Sequence, residues 1–226
     1  MTNGPQLASS LLDDNELVVY KTRNHLWKVY NARKGAKVSA LFVFDKTKCR
    51  LAKEDVASKV VPILKRDAAT LARLRHPSLL EVSEPFDDAA GACAFATEPL
   101  LCCLANLLGD FRNFDVTSVA EWRAKMELDE VEIQKGILQV IKGLEFLHAN
   151  KWTHLSLSPS AIFINARGDW KIGAFAFAQS SSVGDSAFYL GDFAPFCAPV
   201  IDFMAPELVL DSRCRVESDG ETEAMS

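Results

Sequence analysis

The chain has 226 residues, 49% apolar and 24% charged, the balance of a globular protein of one domain with appendages. Lys and Arg number 25 against 30 Asp and Glu, and four of those acids (Glu217, Asp219, Glu221, Glu223) crowd the last few residues, so the rest is nearly neutral and a broad cationic footprint for nucleic acid is excluded. No apolar run reaches the ~18 residues that cross a bilayer, so no transmembrane segment is expected. Met1–Glu16 lacks the basic flank and apolar core of a secretory signal, and Thr2 in place of glycine excludes myristoylation. The cysteines (Cys49, Cys93, Cys102, Cys103, Cys197, Cys214) form no C-x-x-C pair and no metal-ligand rhythm. They read as free, mostly buried thiols in a reducing, cytosolic setting, and no metal site is expected.

After a polar lead-in over 1–16, branched and aromatic residues predict three antiparallel strands, Leu17–Tyr20, Leu26–Tyr30 and Val38–Phe44. From Leu51 to Arg75 the apolar spacing turns helical, with Val60, Ile63, Leu64, Ala68, Leu71 and Leu74 on one stripe. His76-Pro77 ends that helix, because proline disfavours helical geometry in the residue before it. Strands are predicted at Leu79–Val82 and Cys93–Thr97, with Asp87–Gly91 as a hairpin loop. A short helix, Leu101–Leu108, and a poorly patterned insertion, Gly109–Met126, follow Glu98-Pro99. A strong helix then runs from Asp129, its expected N-cap, to Ala149, with Ile133, Ile137, Val140, Ile141, Leu144 and Leu147 as its apolar face. Two β-like pieces, Ala161–Asn165 and Trp170–Ile172, flank the turn Ala166–Asp169, and a Ser-, Gly- and Pro-rich stretch leads to Ala205.

That order, with His76-Pro77, Glu98, His154, Phe175 and Ala205-Pro-Glu207 at these intervals, resembles a protein kinase domain over roughly residues 17–215. The resemblance implies an α+β, protein kinase-like bilobal fold: an antiparallel β-sheet N-lobe with one main helix, then a partial, mainly helical C-lobe. The division it suggests is an N-terminal extension at 1–16, an N-lobe at 17–97, hinge and partial C-lobe at 98–215, and an acidic tail at 216–226.

A kinase covers the nucleotide phosphates with glycines, and holds them with a third-strand lysine paired to a helix glutamate. Here the glycine positions carry Thr22, Asn24 and Trp27, Phe42 stands for the lysine, and Asp67 for the glutamate. Without a lysine, Asp67 reads as solvated or capping a local group. Some kinases supply the cation from the loop instead, but that position is Trp27, and strand alternation turns its neighbour Lys28 toward solvent. The base aspartate of the catalytic loop is Ser156, its metal-binding asparagine is Ala161, and the magnesium aspartate of D-F-G is Ala174. A general base alone is typically worth about 10²–10⁴ in rate, and with the lysine and both metal ligands also absent nothing stabilises a transferring phosphoryl group. The catalytic site is therefore read as empty of catalytic residues, with no magnesium.

The apolar skeleton differs. Leu71, Val82, His154 and Phe175 fall where side chains stack through a kinase core. Val29, Ala40 and Phe163 fall where the adenine is sandwiched, with Thr97 as a small gatekeeper and hinge backbone at Glu98 and Leu100. These six positions form a vestigial adenine pocket able to take ATP, unless Phe42 and Phe163 fill it; both readings stand at this stage.

Trp27–Asn31, Val43–Lys46, Leu71–Pro77, Thr97–Pro99, Leu104–Gly109, Gly143–His148 and Gly168–Ile172 together resemble the Scy-like pseudokinases, and among them the coated-vesicle-associated type. This implies a non-catalytic interaction module of clathrin-dependent traffic. Its partners would be proteins such as clathrin or adaptors, and its place the cytoplasm, peripheral on Golgi and endosomal coated vesicles. The alternatives are a degenerate ATP-binding kinase with residual serine/threonine phosphotransferase activity, and a non-functional truncated fragment. The last arises because Val216–Asp219 resembles the approach to the central C-lobe helix, yet polar Gly220–Ser226 follows, leaving the inner face of the Asp129–Ala149 helix partly uncovered. Three further features have bland readings: His154 beside Ser156 is a packed core histidine, Cys102-Cys103 are buried thiols rather than acylation sites, and Ser180–Ser182 is a polar loop without an arginine to receive a phosphate.

Overall fold

The computed structural model describes residues 18–21, 27–34, 36–47, 56–111, 128–180, 201–206 and 209. The loop positions Thr22 and Asn24, most of the insertion, Ser181 and Ser182, Glu207, the acidic tail, and Cys49, Cys197 and Cys214 lie outside them.

Strands β1 (Val18–Lys21), β2 (Lys28–Lys34), β3 (Lys37–Asp45), β4 (Val82–Asp88) and β5 (Ala92–Thr97) form one antiparallel sheet in the order β1-β2-β3-β5-β4. The β2–β3 register sets Val29 opposite Phe42 and Asn31 opposite Ala40. Trp27 and Val29 are buried, while Lys28 and Tyr30 on the other face are only half-buried, as the two-residue period of a strand requires. Helix α1 (Val56–Arg73) lays its predicted stripe under this sheet, and Val60, Ile63, Leu64, Ala68, Leu71 and Leu74 are all buried.

Two predicted elements shift. Leu79–Val82 is not a strand: Leu79 makes a single parallel bridge to Ile172, and the strand begins at Val82 and runs to Asp88, through residues read as loop. This is a sheet edge with two register shifts and a proline, Pro85, so its pattern is polar and irregular where an inner strand would be apolar. The helix expected at Leu101–Leu108 is instead strand β6 (Leu100–Cys103) followed by one turn, α2 (Leu104–Leu107). Pairing of β6 with β8 (Ile162–Asn165), which also pairs with β9 (Trp170–Ile172), overrides the local helical spacing. A small pair that sequence reasoning missed, β7 (Trp152–Thr153) with β10 (Gln179–Ser180), closes the C-lobe side.

Helix α3 (Glu130–Ala149) starts where expected. Asp129 accepts from Glu132 N–H at 2.7 Å, and Glu132 Oε2 accepts from Asp129 N–H at 3.1 Å, a reciprocal cap. Its packed face holds half of the predicted stripe, Val140, Leu144 and Leu147, together with two glycines. Gly136, Gly143 and Leu147 are buried, with Val140, Leu144 and Phe146 half-buried beside them, whereas Ile133, Ile137 and Ile141 are 39%, 49% and 54% exposed. The glycines permit the contact: a Cβ on Gly136 would sit 2.2 Å from the Trp170 ring, and one on Gly143 2.8 Å from Ile172 Cδ1. Gln139 then joins the helix to the β8–β9 turn, accepting from Trp170 N–H at 2.8 Å and donating to Asp169 at 2.9 Å.

One buried core runs through both lobes, from Val29, Phe42, Leu64 and Phe95 above to Leu147, Phe163, Ile172 and Phe175 below. This is the protein kinase-like bilobal fold expected from the landmark order. Among the described residues no helix is long and apolar enough to cross a membrane.

Candidate functional site

The site lies between the sheet and the β8–β9 hairpin, where a kinase holds nucleotide. Alternation along β3 turns Ala40 and Phe42 inward together. Phe42 is 2% exposed, its ring stacked on Phe95 (4.7 Å between centroids, 18° between planes) with Phe163 edge-on at 5.9 Å and Trp27 edge-on at 6.2 Å. Offset stacks and edge contacts at these separations are favourable aromatic geometries. Val29, Ala40, Thr97, Leu100 and Phe163 are all buried as well, so the structure brings the predicted adenine-pocket residues together around an aromatic cluster. The Thr97 hydroxyl donates to the Glu98 carbonyl at 3.0 Å, the Glu98 N–H to Glu81 at 3.0 Å, and Pro99 accepts from Ala166 N–H at 3.0 Å.

The Glu98 side chain points to the other side of the hinge. Its carboxylate accepts from Asn165 Nδ2 at 2.8 Å and Glu81 N–H at 3.2 Å, and lies 3.5 Å from the buried Lys171 ammonium, which also donates to Pro77 O at 2.5 Å. Asn165 in turn accepts from Arg167 and Asp169 N–H groups, fixing the β8–β9 turn.

Below the cleft, His154 is buried with its ring 4.8 Å from that of Phe175, and its Nε2–H donates to Gly173 O at 2.8 Å. Burial pushes its pKa down to about 4, partly offset by that bond, so the imidazole is neutral. Its Nδ1 faces the Ser156 N–H, while Ser156 Oγ lies 3.4 Å from Ala174 O, so the serine hydroxyl is directed away from the histidine. Ala161 is buried and accepts from Gly173 N–H at 2.8 Å. Ala174 sits in the left-handed region, φ 60° and ψ 55°, with no side-chain hydrogen bond to support it. At the two metal positions, then, the side chains are methyl groups and offer no oxygen ligand, so these residues do not fit a magnesium–nucleotide. Among the described residues no three His, Cys, Asp or Glu side chains gather to hold a metal ion.

Asp67 is neither solvated nor capping a near neighbour. It is 4% exposed, and its carboxylate accepts from Phe175 N–H at 2.7 Å, across 108 residues, and from the Trp27 indole. Burial raises its pKa to about 6 against the pull of those two bonds. Sequence reasoning missed this pairing because it sought a lysine. The available signal was a tryptophan, an uncharged N–H donor, in place of the third loop glycine. Leu71, His154 and Phe175 are buried in the common core, with Val82 packed against it. Cys93, Cys102 and Cys103 are buried free thiols, and burial pushes Cys103 up to about 11.

Sheet, N-lobe helix, hinge and hairpin define a protein kinase-like domain, and the protein kinase domain family matches residues 28–220. Over about 200 residues the chain is 35% identical to the SCY1-like protein 2 of Mus musculus, covering 85% of this chain and 22% of that protein. It is also 35% identical to the protein kinase domain-containing protein ppk32 of Schizosaccharomyces pombe (85% of this chain, 28% of that protein), and 27% identical to the protein kinase-like protein SCY1 of Saccharomyces cerevisiae (85% and 27%). The chain belongs to the protein kinase domain family, as a Scy-like kinase-like domain. It spans about a quarter of the length of these relatives.

Proposed function

We propose that this chain is a catalytically inactive, kinase-like interaction module, a pseudokinase, acting in clathrin-dependent vesicle traffic. The observation that carries the inactive reading is Phe42: the position from which a lysine would hold phosphates is a buried ring stacked on Phe95 and met by Phe163. An aromatic ring there offers no charge to a phosphate and fills the space an adenine and its phosphates would share. Ser156, Ala161 and Ala174 leave the same cleft without a base or metal ligands. The domain division at 17–97 and 98–215 belongs to this reading, with the hinge network of Glu98 and Lys171 as the boundary. The Scy-like kinship supports the trafficking part, with clathrin or adaptor proteins as partners and the cytoplasmic face of Golgi and endosomal coated vesicles as the place of work.

Thermal melts with millimolar ATP, with and without magnesium, test the inactive reading beside a phosphotransfer assay on generic serine/threonine peptides. The expected result is no shift and no transfer. A magnesium-dependent shift together with label on the peptide overturns it. Affinity capture on purified clathrin and adaptor complexes tests the partner class, with retention on at least one expected and retention on neither counting against the trafficking assignment.

A further inference from the structure

Helix α1 is tied to both lobes by two consecutive side chains. Arg66 Nη2 donates to Ala178 O at 2.7 Å, and Asp67 accepts from Phe175 N–H at 2.7 Å, so the two ends of the short helical turn Phe175–Phe177 are held from one point on α1. Asp67 also receives the indole N–H of Trp27, which stands just before β2 and packs edge-on against Phe95 at 5.0 Å and Phe42 at 6.2 Å. A buried carboxylate left without donors is strongly disfavoured, so each donor's position constrains the other through the shared acceptor. In a working kinase a lysine–carboxylate pair ties this helix to the sheet, and the lysine also holds nucleotide phosphates. Trp27 supplies the tie here without charge.

We propose that Trp27, Asp67 and Phe175 form an interlobe latch that holds helix α1 against both lobes by internal contacts, so that the closed arrangement presented to partners needs no nucleotide. The inference rests on the inactive reading above, but its test is conformational. Amide hydrogen exchange on the full chain reads the Phe175 and Ala178 amides in four forms: unchanged chain, Trp27→Phe, which keeps an aromatic ring and removes the donor, Asp67→Asn, which keeps one acceptor oxygen and the volume, and the double variant. Each single change is expected to speed exchange at Phe175 about tenfold, although Trp27 lies some 150 residues away in sequence. The double variant is expected to go little further, because the two act through one acceptor; independent contributions would multiply to about a hundredfold. Multiplying effects, or a Trp27→Phe chain whose Phe175 amide is unchanged, overturns the latch. Magnesium–ATP added to the unchanged chain separates the two readings: slower exchange at Phe175 on addition sinks nucleotide independence, whereas the coupling of Trp27 to Asp67 stands or falls on the variants.

Discussion

The two sides of the hinge are built from opposite materials. On the cleft side, the positions where a kinase carries its lysine and metal ligands hold Phe42, Ala161 and Ala174, and the Phe42 ring is stacked on Phe95 and met edge-on by Phe163. On the back, half-buried Glu98 and buried Asn165 and Lys171 form a polar network that ties the segment just before β4, the hinge and the β8–β9 hairpin together. Both sides help fix how the lobes meet. The difference separates two uses of polar groups in one fold. Those on the back satisfy each other and hold backbone, whereas Phe42, Ala161 and Ala174 in the cleft carry no polar side-chain atom.

The sharpest break of that comparison is on the back. Glu98→Ala leaves Lys171, Asn165 Nδ2 and Glu81 N–H short of an acceptor, which costs about 4 kcal/mol, as removal of one partner of a buried pair does. Adding Lys171→Met removes the orphaned charge and recovers part of the loss, and urea melts of the three variants measure both effects. On the cleft side, Phe42→Lys restores the missing cation yet is expected to lose about 3 kcal/mol of core packing, with no phosphotransfer gained, because Ser156, Ala161 and Ala174 are unchanged. Stability gained, or label transferred, would mean that the cleft is a kinase site lacking one residue.

Acidity tests the floor of the cleft, where two buried groups titrate in opposition. Asp67, raised to about 6, contributes stability that is complete below the ordinary carboxylate range and lost as pH climbs through 6. His154, lowered to about 4, contributes stability that is complete above the ordinary imidazole range and lost as pH falls through 4. Over that window the two slopes offset each other, each about 3 kcal/mol in extent. Asp67→Asn should therefore leave a chain that loses stability steadily from pH 6.5 to 4, and His154→Phe one that gains it. Urea midpoints at several pH values check this, and two variants with the same slope would contradict the burial of one group.

Much of this was legible in the residues. The α1 stripe, the Asp129 cap and the landmark intervals are patterns readable along the chain, and they led to the fold. The α3 face was legible only in part: Val140, Leu144 and Leu147 pack as expected, but hydrophobic counting also favours Ile133, Ile137 and Ile141 and gives no weight to Gly136 and Gly143, which matter only once Trp170 and Ile172 lie against them. β4 was displaced because an edge strand of Ser, Glu, Pro and Asp carries no β-signal without its partner β5. Asp67 was misread because its donors are a backbone amide 108 residues away and an indole, neither of which a search for opposite charge would find.

The smallest expected effect lies at the position of the missing metal ligand. Ala174 is held at φ 60°, where a Cβ meets the following carbonyl at a cost of roughly 1–2 kcal/mol, and its side chain has no bond to compensate. The conformation is imposed from both flanks: Gly173 O accepts from His154 Nε2–H and Phe175 N–H donates to Asp67. Ala174→Gly removes the clash and adds unfolded-chain freedom worth about 0.4–1 kcal/mol, so a net gain of some tenths to about 1 kcal/mol is expected, or roughly 2–4 °C in melting temperature at most. Leu155, also at φ 60°, is no equivalent test, because glycine there would delete a half-buried side chain. Ala178 is the proper control: at φ −63° and ψ 140° an alanine is unstrained, and Ala178→Gly should destabilise. Opposite signs at two alanines four residues apart would establish that the backbone at Ala174 is bent by the buried groups on either side of it, His154 and Asp67.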